Sequence, residues 1–249
     1  MKAVPVTTQV QVDGQFRLQR NGVALQWNTA DEAALEAALQ IKDSGAVTVV
    51  TMGPKKLESP LQELYARGVD RAVLITDPAM AGADTYATTT ALAAAVQKLG
   101  PFDLILCGRR AIDGETGQVP GMLAAALGIP CITNADKIEY IDTLQISRRL
   151  EEGTALLQAQ PPLVVSLCEY AYTLRLPGIM AMRRAKGKQI EFLSTAQLDL
   201  PPENCGLKGS LTKVIAMDSK FPGLRKGPKE ADIPAGVEKL LSIYREVKL

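Results

Sequence analysis

Across residues 1–137, short apolar runs alternate with stretches whose apolar residues recur every third or fourth position. Gly45–Met52 (GAVTVVTM), Arg71–Thr76 (RAVLIT) and Asp103–Cys107 (DLILC) are short and continuous, the pattern of strands buried on both faces. Between them the spacing predicts helices. Asp31–Lys42 carries Leu35, Ala38 and Leu39, and Leu57–Arg67 carries Leu57, Leu61, Leu64 and Tyr65. Asp84–Leu99 is long and Ala-rich, and Thr116–Leu127 ends at Gly128 and Pro130. Thr29 and Glu32 stand at capping-box spacing before the first of these helices. Strands alternating with helices predict an α/β fold with a mainly parallel, Rossmann-like sheet flanked by helices. Ligands of such sheets lie beyond the carboxyl ends of the strands, here the loops after Met52, Thr76 and Cys107.

The pattern changes after residue 137. Lys137–Ile146 and Ser147–Ala159 alternate like half-exposed strands, and Leu163–Cys168 (LVVSLC) reads as another buried one. From about Gly187 the chain turns polar, with Pro201-Pro202, Pro222, Pro228 and Pro234, and closes on a short helix at Ala235–Glu246. The expected division is an α/β domain over 1–190 and an extended C-terminal arm over 191–249. The arm has too little apolar periodicity to build a core, and is expected to be disordered or wrapped on a partner.

Composition narrows the chemistry. The 249 residues include 28 Lys and Arg against 27 Asp and Glu, so no net field favours nucleic acid or a membrane surface. There is no histidine, which removes His-based triads, His metal sites and His acid–base catalysis. Aromatics are only 4%, too few for base-stacking platforms. Cys107, Cys131, Cys168 and Cys205 form no CxxC pair and read as small buried thiols of a cytoplasmic protein. Neither a secretory leader nor a run of about 18 apolar residues is visible, so membrane insertion is not expected.

The stretch Leu106–Gly121 (LCGRRAIDGETGQVPG) is the richest in candidate chemistry. A strand end, a glycine-containing loop and a helix start make an anion cradle, because the first N–H groups of a helix are unpaired. Gly108, Gly114 and Gly117 permit close backbone approach, Arg109 and Arg110 add charge, and Thr116 and Gln118 add donors. Asp113 and Glu115 fit a ribose hydroxyl or a backbone donor better than a phosphate. An ordinary glycine-rich connection explains the same residues equally well. Asp84 and Thr85 open a second helix that could seat a pyrophosphate, though a plain Asp84 cap is the simpler reading. Asn28 offers an amide to a base or ribose, while Thr29 reads first as a helix cap. Leu174–Lys188 joins Leu176, Pro177, Ile179 and Met180 to Arg183, Arg184, Lys186 and Lys188, which suits either a docking site or a plain surface segment. The Walker lysine motif and a GxGxxG after a first strand are both absent, which disfavours P-loop hydrolysis and an ordinary dinucleotide dehydrogenase.

Cys107–Val119 (CGRRAIDGETGQV), Asn28–Glu32, Val47–Pro54, Gly68–Arg71 (GVDR) and Leu176–Met180 (LPGIM) together resemble the β subunits of electron transfer flavoproteins. The resemblance covers roughly residues 1–190. It implies an adenine-nucleotide α-hydrolase-like fold, a heterodimer with an FAD-carrying α subunit, and an adenine nucleotide in this subunit. That nucleotide is FAD in the electron-bifurcating branch, with AMP as the alternative in the single-flavin branch. The family's nucleotide segments fall on Asn28, Thr29, Ala30, Asp31, Met52, Gly108, Arg109, Arg110, Ala111, Ile112, Asp113, Gly114, Glu115, Thr116, Gly117, Gln118 and Val119. Asp84, Thr85 and Thr88 (DTYAT) look like the bifurcating branch, where they face a flavin pyrophosphate, so FAD is expected here. Leu176, Pro177, Ile179 and Met180 resemble the loop that docks an acyl-CoA-type or other flavin dehydrogenase, and the arm is expected to pack on the α subunit. No catalytic residue and no metal ligand is implied.

Three departures stand out. The family has an apolar strand before its Lys-x-Val-Pro segment, and here that segment is Lys2–Pro5. The expected consequence is a misassigned start or a sheet short of one strand beside the adenine. Val6 stands where an Asp is usual, and Thr29-Ala30 stands for Pro-Phe. Arg110 stands for Gln, a charge that would favour an anionic flavin. A nucleotide sensor without redox activity and a hydrolase are the rival readings.

Overall fold

The computed structural model describes residues 1–6, 24–215 and 232–247. In chain order the elements are β1 (Ala3–Pro5), β2 (Leu25–Trp27), α1 (Thr29–Ile41), β3 (Thr48–Met52), α2 (Glu58–Glu63), β4 (Arg71–Ile75), α3 (Thr85–Leu99), β5 (Leu104–Gly108) and α4 (Val119–Leu127). There follow β6 (Cys131–Tyr140), β7 (Leu144–Leu150), β8 (Gly153–Ala159), β9 (Leu163–Leu167), α5 (Ile179–Ala185), β10 (Glu191–Leu193), α6 (Gly206–Gly209) and α7 (Ile233–Val247). Met1–Ile215 forms one compact unit and Ala216–Leu249 a second.

The fold is α/β, and its strands pair mainly in parallel where the short apolar runs lie. One sheet has the order β10-β4-β3, parallel throughout. The other has the order β5-β9-β6-β7-β8, parallel across β5, β9 and β6 and antiparallel through β7 and β8. The first four residues that resemble the family's opening segment do not join either sheet: β1 pairs antiparallel with β2 in a separate ribbon.

Helix α1 knits the two sheets together. Its Leu35 and Leu39 join Val49, Leu61, Leu64 and Leu74 in one core cluster. Its Ala33, Ala34 and Ala37 join Ile138, Ile146, Val165 and Leu167 in another. Three alanines on one face let a helix lie close on strands, and two leucines on the other fill the wider gap to α2. A third cluster, with Val73, Ile75, Met80, Ala91 and Leu193, seats α3.

Several boundaries differ from those the sequence suggests. The Leu57–Arg67 helix is broken into a 3₁₀ turn at Lys55–Leu57, the six-residue α2 and a second 3₁₀ turn at Leu64–Arg67. Gly68 ends it at φ +108°. Helix α4 starts at Val119 rather than Thr116, because Glu115 and Gly117 take left-handed φ values of 51° and 62° that no helix accommodates. The two long alternating segments are three strands, turning at residues 141–143 and 151–152.

The largest difference lies past residue 190, where the unit continues instead of ending. β10 extends the first sheet, Leu193 and Leu198 enter the third core cluster, and the Leu207 N–H reaches the Ala81 carbonyl at 3.0 Å. Residues 191–215 therefore pack on their own chain, and the contact boundary falls at 215/216. Pro222 and Pro228 lie outside the described residues. In the second unit, α7 presents Val237, Leu240, Leu241 and Tyr244 at helical spacing, all exposed. No helix among the described residues is long and apolar enough to cross a membrane.

Candidate functional site

The loop from Arg109 to Gln118 leaves the carboxyl end of β5 and is held from below by the start of α1. Asn28 caps that helix by position, and its carbonyl accepts from the Asp31 and Glu32 N–H groups. The capping box expected of Thr29 and Glu32 is not formed, since no side chain caps this terminus. The Asn28 amide, only 1% exposed, serves the loop instead. Its Nδ2 donates to the Arg110 carbonyl at 2.9 Å, and its Oδ1 accepts from the Ile112 N–H at 3.2 Å. Asp31 completes the clamp, accepting from Gly108 N–H (3.0 Å), Lys2 N–H (3.2 Å) and Asn28 Nδ2 (3.0 Å). Lys2 Nζ then reaches Asp113 Oδ1 at 2.6 Å, and the Asp113 side chain is 8% exposed. The Met1 amine donates to the Val50 carbonyl at 2.7 Å, so the same short segment ties β3, and with it Met52, to the loop.

Asn28, Asp31 and Asp113 are thus occupied in bracing the chain, where the sequence had offered them to a base or a ribose. Thr29 is half-buried, and the fully buried Ala30 packs under Gly108. A Cβ at Gly108 would stand 2.9 Å from Ala30 and 2.8 Å from the Asp31 nitrogen. Glycine at 108 therefore permits the close contact between β5 and α1.

What the brace leaves open is the tip of the loop. Gly114, Glu115, Thr116, Gly117 and Gln118 are exposed, and a Cβ at Gly114 would meet open space. The Glu115 N–H returns to the Ala111 carbonyl at 2.8 Å. The N–H groups of Thr116, Gly117 and Gln118 have no backbone acceptor among the described residues. Successive unpaired N–H groups around a left-handed residue form an anion-binding nest, and these run directly into α4. Val119 and Pro120 open that helix.

The start of α3 meets this tip. Thr85 Oγ1 donates to Gln118 Oε1 at 2.8 Å. Asp84 is the N-cap, accepting from Ala87 N–H at 2.9 Å and from Thr212 N–H and Oγ1, both at 2.8 Å. Burial pushes the Asp84 carboxyl up, but these hydrogen bonds hold it below the usual carboxylate range. Its carboxylate orders the chain at the start of α3. Thr88 lies one turn along, half-buried.

Both loop arginines are matched by one acid that the sequence did not single out. Arg109 Nη2 reaches Glu169 Oε2 at 2.9 Å, and Arg110 Nε reaches Oε1 at 3.0 Å. Arg110 also lies 3.7 Å from Glu115. Burial pushes Glu169 up, and hydrogen bonds from its own backbone, Arg110 and Arg109 outweigh it, holding the carboxyl low and charged. Beside these arginines, Thr133, Asn134 and Ser166 line a cavity of about 300 Å³ with Gly117. The one signal of it in the sequence is Asn134, an uncommon residue inside a strand.

All four thiols are shifted towards the protonated form. Burial, with the nearby Asp31 charge, pushes the Cys107 thiol up to about 12. Burial also raises Cys131, Cys168 and Cys205.

The apolar segment after β9 projects on a polar stem. Glu36, its side chain 5% exposed in the middle of α1, accepts from Arg175 N–H at 3.1 Å and Arg175 Nη2 at 2.8 Å. Arg67 donates to the Arg175 carbonyl. Beyond this anchor Leu176 is 87% exposed, and Ile179 and Met180 are exposed with it, while Pro177 is half-buried.

The electron transfer flavoprotein domain matches residues 15–195. The chain is 40% identical to the electron transfer flavoprotein subunit beta of Thermoanaerobacterium thermosaccharolyticum, over 87% of this chain and 85% of that one. It is 37% identical to the caffeyl-CoA reductase-Etf complex subunit CarD of Acetobacterium woodii (86% and 84%) and to protein FixA of Bradyrhizobium diazoefficiens (86% and 78%). The chain belongs to the electron transfer flavoprotein family, among its β subunits.

Proposed function

We propose that this chain is the β subunit of a cytoplasmic, heterodimeric electron transfer flavoprotein, and that it binds FAD. The observation that carries the nucleotide reading is the exposed nest at Thr116–Gln118, braced from Asn28 and Asp31 and met by Thr85. The residues fit the group: a phosphate takes hydrogen bonds from three backbone N–H groups, and every nearby carboxylate is turned to another partner. Bound FAD would supply the redox chemistry, and the protein its binding and potential.

In this reading Arg109 and Arg110 hold the loop open against Glu169, and Thr85 and Gln118 fix the distance between α3 and the loop tip. Leu176, Ile179 and Met180 dock the donor, an acyl-CoA-type or other flavin dehydrogenase, beside the basic Arg183 and Arg184. The apolar stripe of α7 packs on the α subunit, which gives the second unit a covered face in the heterodimer. A relative named as a subunit of a caffeyl-CoA reductase-Etf complex supports an oxidoreductase of CoA esters as partner.

The test is a nucleotide census. The chain is co-expressed with its α subunit, the purified heterodimer is denatured, and FAD and AMP are counted. Two FAD and no AMP are expected. One FAD with one AMP would replace the second flavin by a structural nucleotide and make the complex a single-flavin shuttle. No adenine nucleotide beyond the partner's FAD would remove the site.

A further inference from the structure

The segment 77–84 carries the chain from the end of β4 to the start of α3, and it is fastened at both ends to residues beyond 190. Thr195 places its N–H (3.1 Å) and its hydroxyl (2.6 Å) on Asp77 Oδ2. Thr212 repeats the arrangement at the other end, with its N–H and its hydroxyl both 2.8 Å from Asp84 Oδ2. Between them the Leu207 N–H reaches the Ala81 carbonyl at 3.0 Å. Gly206 lies so close to the same loop that a Cβ there would collide with the Ala79 carbonyl. Residues 195–212 are therefore a strap laid along one loop.

Helix formation does not need this strap. Asp84 Oδ1 caps α3 by accepting from the Ala87 N–H at 2.9 Å, which is the ordinary work of an N-cap carboxylate. The strap takes the groups that the cap leaves over. Oδ2 goes to Thr212, and the Asp84 N–H donates to Ser210 Oγ at 2.9 Å. Water could satisfy both groups at a half-buried position, so the net gain in stability is small. What the strap adds is a fixed place for Asp84, and so for the next residue. Thr85 donates to Gln118 Oε1 at 2.8 Å, and Gln118 is the last residue of the nest. One line of contacts thus runs from Thr212 through Asp84 and Thr85 to the exposed N–H groups. Donors already held in place bind more tightly than donors that have to be ordered on binding.

We propose that Thr212 is a positioning residue for the nucleotide phosphate: by holding Asp84 it seats Thr85 against Gln118 and keeps the nest in its binding shape. This rests on the nucleotide reading above. Thr212 acts through Asp84 and Thr85. Thr195 makes the same pair of hydrogen bonds at the end of the loop away from Thr85, and so supplies a matched control.

The test is release of adenine nucleotide from the purified heterodimer. Samples dialysed against nucleotide-free buffer are denatured at intervals, and FAD and AMP in excess of one FAD per heterodimer are counted. T212V removes the hydroxyl and keeps the shape of the side chain, T212S keeps the hydroxyl, and T195V removes the matching hydroxyl at Asp77. One lost hydrogen bond at an exposed position corresponds to about a fivefold change. The half-time of release is expected to shorten about fivefold in T212V and to stay within about twofold of the parent in T212S and T195V. A strap with only a structural role would make T212V and T195V behave alike. T212V within about twofold of the parent overturns the proposal, as does T195V or T212S releasing as fast as T212V. Each of these results leaves the nucleotide reading standing, because the parent still carries its nucleotide. A parent with no nucleotide beyond the partner's FAD overturns that reading and the proposal with it. If T212V fails to assemble, S210A, which takes the acceptor away from the Asp84 N–H, decides by the same criteria.

Discussion

The loop at 109–118 and the apolar segment at 176–182 are anchored by one helix and end in opposite chemistry. At the start of α1, Asn28 and Asp31 grip the loop through backbone groups and leave bare N–H groups at its tip. In the middle of the same helix, Glu36 grips Arg175 and leaves bare apolar side chains beyond it. The buried polar residues therefore position, and the exposed groups are what a ligand or partner can touch. Residue type alone offers Asn28 and Asp31 to a ligand; the structure shows both bonded within the chain.

Breaking the first anchor has the largest expected effect. Asp31→Ala leaves the Gly108 and Lys2 N–H groups and the Asn28 amide without their common acceptor. A loss of about 3 kcal/mol in unfolding free energy is expected, with loss of bound nucleotide. Chemical denaturation of the heterodimer checks it. A loss under about 1 kcal/mol with the nucleotide retained would mean that the clamp is incidental.

The second anchor is weaker because one partner is wetter. Glu36→Ala is expected to cost about 2 kcal/mol, below the range for a fully buried pair, since Arg175 keeps solvent contact. Burial pushes Glu36 up, but hydrogen bonds from Arg175 and Gln40 hold its carboxyl below the usual range. A depressed carboxyl contributes stability above its unfolded value of about 4.3 and loses it as pH falls through the folded value. Stability of the parent should therefore decline below about pH 4, and Glu36→Gln should flatten that decline. Hydrogen exchange should rise over residues 174–186 in either variant while the 109–118 loop stays protected. Faster exchange in both regions would show that α1 transmits one event to both, and that the anchors are not separable.

Much of this fold was legible in the sequence, and the reasons are local. β3, β4, β5 and β9 are short apolar runs bounded by glycine, proline or acids, and the Asp84 cap of α3 needs only four residues to recognise. The glycine spacing marked the loop. What escaped depends on residues far apart in the chain. Glu169 matters only because β9 brings it beside Arg109 and Arg110, and Glu36 only because Arg175 returns to α1. The late start of α4 follows from two left-handed residues that composition does not reveal. The polar stretch after 190 packs through scattered single residues, Leu193, Leu198 and Cys205, which no periodicity announces.

On the outer side of the second anchor, the exposed tip should separate binding from folding. Leu176→Ser removes an 87% exposed side chain with no core role, so stability should stay within about 0.5 kcal/mol. The KM for a flavin dehydrogenase donor should rise about tenfold with kcat nearly unchanged, as for an interface anchor. Steady-state kinetics with the donor varied gives the split. An unchanged KM would move docking elsewhere and leave the stem as a structural feature only.

The smallest effect is expected where the sequence promised the most electrostatic consequence. Arg110 adds a positive charge at the loop, and a free cation there would stabilise an anionic reduced flavin. Its charge is instead shared between Glu169 at 3.0 Å and Glu115 at 3.7 Å, which raise its pKa and offset its field. Solvent on its open side screens what remains. Arg110→Gln should therefore leave the reduction potential of the flavin proposed for this subunit unchanged within error, as read by spectroelectrochemical titration. Glu169→Gln is the informative contrast, because it removes the counter-charge from both arginines and should raise the potential. If Arg110→Gln lowers the potential on its own, the ion pairs do not hold when the nucleotide is bound, and the loop arginines act on the flavin directly.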